Sequence, residues 1–309
     1  MLLAVLPLGA QEISFGLGQL RPLNGVTQTY AWQIQYLQPI SAKWGISLTW
    51  LNEGHLEDHH RDGLALQFWR FHNMDYHRLR LGLGLGTYRD FDTTGENAAS
   101  GYRNQHGYKQ LISIKSQYPL AGNWDGFIQA NRTVGEGDPQ TQSILLGFSH
   151  RTEAPASVDS SPSPRDESEN ELTFFVGRTI LNSFESQSAT AYAIEYRRKL
   201  ATPLEFTLTY SDEGDTAQLD RDGLALQLWG AADLGQRWGI GFGAGPYFSR
   251  VFSRKSGEKT VEFETDLRLT MSLHCQLWEQ GVGRLSWNRT LTHYHRDTDV
   301  MLAGLGYRW

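Results

Sequence analysis

From Val261 to Leu277 the chain alternates without a break. Val, Phe, Thr, Leu, Leu, Met, Leu, Cys and Leu fill the odd positions; Glu262, Glu264, Asp266, Arg268, Thr270, Ser272, His274 and Gln276 fill the even ones. A helix turning 3.6 residues per turn would mix the two sets around its surface, whereas a strand sends them to opposite faces. The alternation alone leaves two settings open. In water the charged face lies outside and the apolar face fills a core; in a membrane barrel the apolar face meets lipid and the polar face lines the interior.

Composition separates these settings. The longest apolar run, Met1 to Ala10, is far below the roughly 20 residues a membrane helix needs, and the mean hydropathy is negative. Yet aromatic residues make up 12% of the chain and glycine contributes 32 residues. Aromatic and glycine enrichment at low hydropathy suits a transmembrane barrel with interfacial aromatic girdles. The net charge of -6 provides no basic surface and argues against a nucleic-acid partner. The single cysteine, Cys275, falls on the apolar phase and has no internal disulfide partner.

The chain ends on the same pattern. Met301, Ala303, Leu305, Tyr307 and Trp309 alternate with Leu302, Gly304, Gly306 and Arg308. With the strand alternation and the turn asymmetry below, this Gly306-Tyr307-Arg308-Trp309 end resembles the terminal strand of Gram-negative outer-membrane β-barrels. The resemblance is to the class and covers most of the chain after Gln11. It implies an all-β, transmembrane antiparallel barrel in the bacterial outer membrane. It also implies contact with outer-membrane lipid and lipopolysaccharide, and insertion by the barrel assembly machinery. Residues 1–10, Leu2 to Leu8 followed by Gly9-Ala10, read as the remnant of a secretory signal.

Sixteen strands can be marked. Tight turns are expected at Ser41-Ala42, Met74-Asp75, Ala121-Gly122, Thr202-Pro203, Gly235-Gln236 and Glu279-Gln280, and longer loops at Asn52 to Arg61, Asp90 to Gly107, Asp212 to Arg221 and Ser253 to Lys259. Short turns on one side and long loops on the other match outer-membrane barrels, with the long loops outside.

The strands fall into two repeats of eight. Glu53-Gly54 and Arg61 to Gln67 (Arg-Asp-Gly-Leu-Ala-Leu-Gln) recur as Glu213-Gly214 and Arg221 to Gln227. Trp69 answers to Trp229; Gly82, Gly84, Gly86 and Tyr88 to Gly241, Gly243, Gly245 and Tyr247; and Asn131-Arg132-Thr133 to Asn288-Arg289-Thr290. The expected organisation is a first repeat at 11–151, a flexible periplasmic linker at 152–170 rich in Ser, Pro, Asp and Glu, and a second repeat at 171–309. Two closures are compatible with it: one barrel of about 16 strands, or two tandem eight-stranded barrels. The single closure is the commoner arrangement and is the one expected. Small residues on the interior phase favour the pair, because a narrow barrel must pack its interior.

Glu53, Arg61, Asp62, Gln67 and Asn131 are expected at the lumen or rim, with Glu213, Arg221, Asp222, Gln227 and Asn288 equivalent. Glu53 and Arg61 fit a structural ion pair or a charged constriction, and Asp62-Gly63 and Asp222-Gly223 are expected to shape the turns. His55, His59 and His60 have no counterparts in the second repeat and, with Glu53, are the catalytic candidates if the protein is an enzyme. Arg132 and Arg289 point outward near the rim, where a guanidinium can meet lipopolysaccharide phosphates. No Gly-x-Ser-x-Gly elbow, phosphate loop or paired-cysteine motif is present, so no cofactor or metal is assigned and the reading leans away from an enzyme. The polar inward set, including Glu195, Glu262, Glu264, Asp266 and Arg268, points to a porin-like conduit for a hydrophilic solute such as a saccharide. The alternatives are an enzyme that modifies lipid A or phospholipid, and a structural or adhesive surface barrel.

Overall fold

The computed structural model describes residues 11–25, 27–74, 78–95, 101–136, 139–152, 169–201, 203–234, 237–255 and 258–309. Among these residues the chain forms sixteen strands. The first eight are β1 (Glu12–Pro22), β2 (Thr29–Pro39), β3 (Trp44–Leu56), β4 (His59–Met74), β5 (Leu79–Thr94), β6 (Arg103–Ala121), β7 (Trp124–Val134) and β8 (Thr141–Arg151). The second eight are β9 (Asn170–Leu181), β10 (Ser188–Ala201), β11 (Leu204–Thr216), β12 (Leu219–Asp233), β13 (Trp238–Lys255), β14 (Glu258–Gln276), β15 (Gly281–Leu291) and β16 (Thr298–Arg308).

The structure replaces the expected single closure with two. β1 pairs antiparallel with β8, from Glu12 opposite Arg151 to Pro22 opposite Thr141, and closes an eight-stranded barrel. β9 pairs with β16, Thr298 opposite Leu181, and closes a second. The two compact units divide after Asp159. The expected leader and most of the expected linker lie outside the described residues, as do parts of the turns at 74–75, 202–203 and 235–236 and of the loops at 90–107 and 253–259.

In each barrel the side chains sort by phase. Phe15, Leu17, Leu66, Phe68, Leu83, Leu85, Ile128, Leu146 and Phe148 are exposed on the first barrel, and Phe174, Val176, Leu228, Leu285, Met301 and Leu305 on the second. The alternate residues face inward and are largely polar: Ser14, Gln33, Gln35, Ser47, Thr49, Gln67, Ser113 and Gln129 are buried. Apolar outside and polar inside is the inverse of a water-soluble fold and the arrangement that lipid selects. Among the described residues no helix is long and apolar enough to cross a membrane.

Two expected loops prove to be ordered hairpins. β3 and β4 run on to Leu56 and His59, leaving a two-residue turn at 57–58 in which Asp58 takes a φ of 57°. β11 and β12 likewise leave only 217–218. The cause lies in the repeated Glu-Gly pair, where Glu53 and Gly54 together oppose Arg61 as a β-bulge. Gly54 has φ 65° and its N–H donates to Asn52 Oδ1 at 3.0 Å; Gly214 repeats this with φ 72° and Asp212 Oδ1 at 2.8 Å. Asp62-Gly63 and Asp222-Gly223 therefore sit within strands and not at turns.

Candidate functional site

Each barrel has a lower rim, where its first strand begins and its last ends, and an upper rim bearing the β3–β4 or β11–β12 hairpin. Between the rims each lumen is filled by the same construction. Trp69 is fully buried inside the first barrel and donates Nε1–H to Ser47 Oγ at 2.8 Å; Trp229 in the second donates to Thr207 Oγ1 at 2.8 Å. Directly opposite, Gly84 and Gly243 leave the space the indoles occupy. A Cβ at Gly84 would sit 2.7 Å from the Trp69 ring, and one at Gly243 2.3 Å from the Trp229 ring. The repeated glycines are thus half of a large-to-small fit across the lumen.

Above the indoles lies a polar ladder. Gln67 Nε2 donates to Ser113 Oγ at 2.9 Å, and Ser113 Oγ–H to Asn131 Oδ1 at 2.7 Å. In the second barrel Gln227 donates to Thr270 Oγ1 at 3.0 Å, and Thr270 to Asn288 Oδ1 at 2.9 Å. Gln67, Asn131, Gln227 and Asn288 are parts of this packed interior.

At the upper rim the bulge turns Glu53 inward onto Arg61, both fully buried. Glu53 also accepts from Tyr88 Oη at 3.0 Å and from Thr141, and Arg61 donates to Pro139 O at 2.6 Å. In the second barrel Glu213 accepts from Arg221 at 2.6 Å, from Thr298 Oγ1 at 2.9 Å, and from a second cation, Arg268, where the first barrel has Leu111. Tyr294, in the turn after β15, caps this cluster. It accepts from Arg221 at 2.9 Å and donates to Asp266 Oδ2 at 3.1 Å. Burial pushes its hydroxyl well above the ordinary tyrosine range, so it remains a donor. Asp62 and Asp222 face outward from the rim; Asp222 is bound by Arg250 at 2.6 Å.

The lower rims carry clusters that the repeat comparison alone does not single out. Glu12 receives Lys115 Nζ at 2.9 Å, Gln117 at 2.8 Å and Arg80 at 3.4 Å. Glu171, at the same place in the second barrel, is held bidentately by Arg284 and by Arg308 at 2.9 Å. The inward carboxylate at the start of β1 and of β9 was the available signal. Its cations arrive from different strands, β5 and β6 in one barrel and β15 and β16 in the other, so no repeat marks them.

The catalytic candidates do not converge as one set. His59 Nδ1 lies 2.7 Å from Asp92 Oδ2, a carboxylate–imidazole pair at the upper rim with the imidazole partly exposed. His55 and His60 stack on each other with centroids 3.9 Å apart. Glu53 is sealed beneath by Arg61 and Thr141. In the second barrel the positions of His59 and Asp92 are Leu219 and Val251, so the pair belongs to the first barrel alone. Among the described residues no three His, Cys, Asp or Glu side chains are placed to hold a metal. Arg132 is exposed on the outer face; Arg289, expected to match it, is buried against Asp299 at 2.7 Å.

Closed antiparallel barrels with apolar exteriors and polar, packed interiors decide the class. The chain is an outer-membrane β-barrel protein. Neither a family model nor a curated protein matches it in sequence. Among solved structures it is similar to the N-terminal β-barrel domain of Pseudomonas aeruginosa OprF (14% identity, TM-score 0.38), covering 46% of this chain and 100% of that one. The Yersinia pestis attachment invasion locus protein Ail follows at 12% identity and TM-score 0.37, covering 46% and 99%. An outer membrane channel from Pseudomonas putida F1 is matched over 99% of this chain and 97% of that one, at 11% identity and TM-score 0.25.

Proposed function

We propose that this protein is a non-conducting surface barrel of the outer membrane. In this reading its two barrels are packed supports and its upper rims and loops face the partner. The observation that supports the reading is the filling of both lumens. A buried tryptophan is locked against glycine in each, flanked by a hydrogen-bonded glutamine ladder and by ion pairs at both rims. A conduit for a hydrophilic solute would have to displace the indole and break the buried ion pairs of a barrel. Removing one partner of such a pair costs about 3–5 kcal/mol. Reconstitution in planar bilayers tests this directly. The expectation is no conductance steps at any applied voltage, and regular single-channel steps would favour the conduit instead.

One observation supports a second, enzymatic reading. His59 is oriented by Asp92 as a general base is, and it reaches solvent at the rim. If the protein modifies lipid A or phospholipid, extracted lipid changes mass when it is expressed, and His59→Ala abolishes the change while the barrel still folds. Unaltered lipid profiles remove that reading.

A further inference from the structure

β13 and β14 are the longest strands of the second barrel, 18 and 19 residues, and their neighbours stop short of them. The β13–β14 ladder runs up to Lys255 opposite Glu258, whereas the β14–β15 ladder ends at Leu267 opposite Leu291. After Leu291 the chain turns inward over the mouth, where Tyr294 bonds Arg221 and Asp266. β14 above Leu267 is therefore paired on one side only. The lower end of the strand shows which residues face the open side: Gln276 N–H donates to Arg237 O on the β13 side, and Leu277 N–H to Gly281 O on the β15 side. Both registers continue upward without a shift. Odd residues thus direct their N–H and C=O toward β15, and at Thr265, Phe263 and Val261 β15 has already ended. Among the described residues these three have no backbone partner on that side.

The same stretch is open to solvent on both faces. Outward, Phe263 is 79% exposed and Val261 44%; on the inward phase Glu262 is exposed and Glu264 partly so. Exposure of the inward phase means that this arm stands clear of the barrel mouth. Phe263 is level with an outward ion pair, because it opposes Arg250, and Arg250 opposes Asp222 and binds its carboxylate at 2.6 Å. An outward charged pair marks a height above the hydrocarbon, so Phe263 and Val261 do not face lipid chains. The first barrel supplies an internal comparison. Its β5–β6 arm also outruns β7, whose ladder with β6 ends at Val134 opposite Gln110. Aligned on the ladder ends, His106 and Asn104 stand where the second barrel has Phe263 and Val261. Asn104 is buried and donates to Thr93 Oγ1 at 3.0 Å, and His106 meets Phe91 edge-on. The exposed apolar edge belongs to the second barrel.

We infer that the β14 edge from Val261 to Thr265 is a docking site for an extended peptide segment of a second protein, taken up as an added strand. The inference rests on the surface-barrel reading, in which the upper rim faces the exterior, and gives that rim the chemistry of its partner. In strand addition the main-chain hydrogen bonds supply affinity and the alternate side chains supply specificity. A residue opposite Phe263 or Val261 lies on the outward face and is apolar. One opposite Glu262 or Glu264 lies on the other face and is basic. Glu262 has no ion-pair partner among the described residues, and Glu264 has His293 at 3.5 Å. A second copy of this chain is a poor occupant. In a two-fold antiparallel pairing centred on Phe263, Glu262 of one copy would stand opposite Glu264 of the other, and like charges directly opposite are destabilising. The occupant is a segment in which apolar residues alternate with Lys or Arg.

The test uses the full chain in nanodiscs and a short fluorescent peptide of alternating Val and Lys, with binding read by anisotropy. The controls are a peptide of the same residues arranged in blocks, and the alternating peptide N-methylated at its Val residues, whose N–H groups would bond the edge. Thr265→Pro removes an N–H that points to the open side and so spares the β13 ladder. Glu262→Lys combined with Glu264→Lys reverses the charge of the edge. Unheated gel migration verifies that each variant is folded, so a failure to insert is distinguished from a loss of the site. The parent is expected to bind the alternating peptide about tenfold or more tighter than either control, and Thr265→Pro to lose that advantage. The charge-reversed variant is expected to prefer an alternating Val and Glu peptide. Equal binding of the alternating and N-methylated peptides, or unchanged binding by Thr265→Pro, overturns strand addition. A concentration-dependent dimer of the parent that Thr265→Pro abolishes overturns the foreign peptide as occupant. Binding in nanodiscs with none on intact cells overturns the surface reading and leaves the edge in place, so the two fail separately.

Discussion

Replacing Glu213 by Gln removes the carboxylate that two buried guanidinium groups share. Arg221 and Arg268 are fully or almost fully buried, and each binds one oxygen of Glu213. Two cations held on the two oxygens of one carboxylate lie on the order of 6 Å apart, a repulsion of roughly 3 kcal/mol at an effective dielectric of about 20. The lost pairing and this uncovered repulsion place the cost of Glu213→Gln at about 4 kcal/mol or more. With an m-value of about 2 kcal/mol/M, the urea midpoint of the second barrel falls by roughly 2 M. The reasoning is tested by adding Arg268→Leu, the residue that the first barrel carries at this place as Leu111. Alone, Arg268→Leu removes a favourable pair and destabilises; in the Glu213→Gln background it relieves repulsion and stabilises. Hydrogen exchange on peptides from β11 to β14 across a urea series reads the effect, with β3 to β6 as reference. If the double variant is as unstable as Glu213→Gln alone, the shared-carboxylate account is wrong.

Gly243→Ala places a methyl 2.3 Å from the Trp229 ring and should cost about 1–3 kcal/mol. Gly230→Ala, with nothing within 4 Å of the added Cβ, should stay within about 0.5 kcal/mol, and equal midpoints for the two would refute the large-to-small fit. Gly54→Ala meets both the φ of 65° and the Tyr30 carbonyl 2.3 Å from the new Cβ, so the β3–β4 hairpin should lose amide protection while the lower half of the barrel keeps it. Unchanged protection at residues 52–62 would mean the bulge does not need its glycine.

Much of this architecture could be read from the sequence, and what could not has definite physical causes. The lipid-facing series were legible because lipid demands apolar side chains at every second position, as Leu83 and Leu85 or Leu305 and Tyr307 illustrate. The barrel count was not, because closure depends on which strand β8 finds. β1 and β9 offer it nearly the same inward pattern, each opening on a carboxylate, Glu12 and Glu171. The glycine triplets and Trp69 or Trp229 were visible as repeats but not as partners, since only the β4–β5 and β12–β13 registers set Trp69 against Gly84 and Trp229 against Gly243. Glu53 and Arg61 lie buried together at the upper rim. The hairpin between them was read as a loop because a bulge glycine and a turn glycine look alike in sequence. Asp92, the partner of His59, lies 33 residues away on β5 and carried no local signal.

The account rests on two closed barrels, and one disulfide experiment tests that most directly. In a Cys275→Ser background, cysteines at Leu17 and Leu146 face each other across the β1–β8 seam. Opposed antiparallel residues bring their Cα atoms to about 4.5–5.5 Å, within disulfide reach. If β1 instead closed on β16 in the register that β9 uses, Leu17 would oppose Ala303, so cysteines at Leu17 and Ala303 would face each other. In outer membranes treated with a membrane-permeant oxidant, the first pair is predicted to crosslink within one chain and the second is not. Efficient crosslinking of Leu17→Cys with Ala303→Cys, and none with Leu146→Cys, would mean a single sixteen-stranded barrel and would contradict the filled lumens on which the proposed function depends.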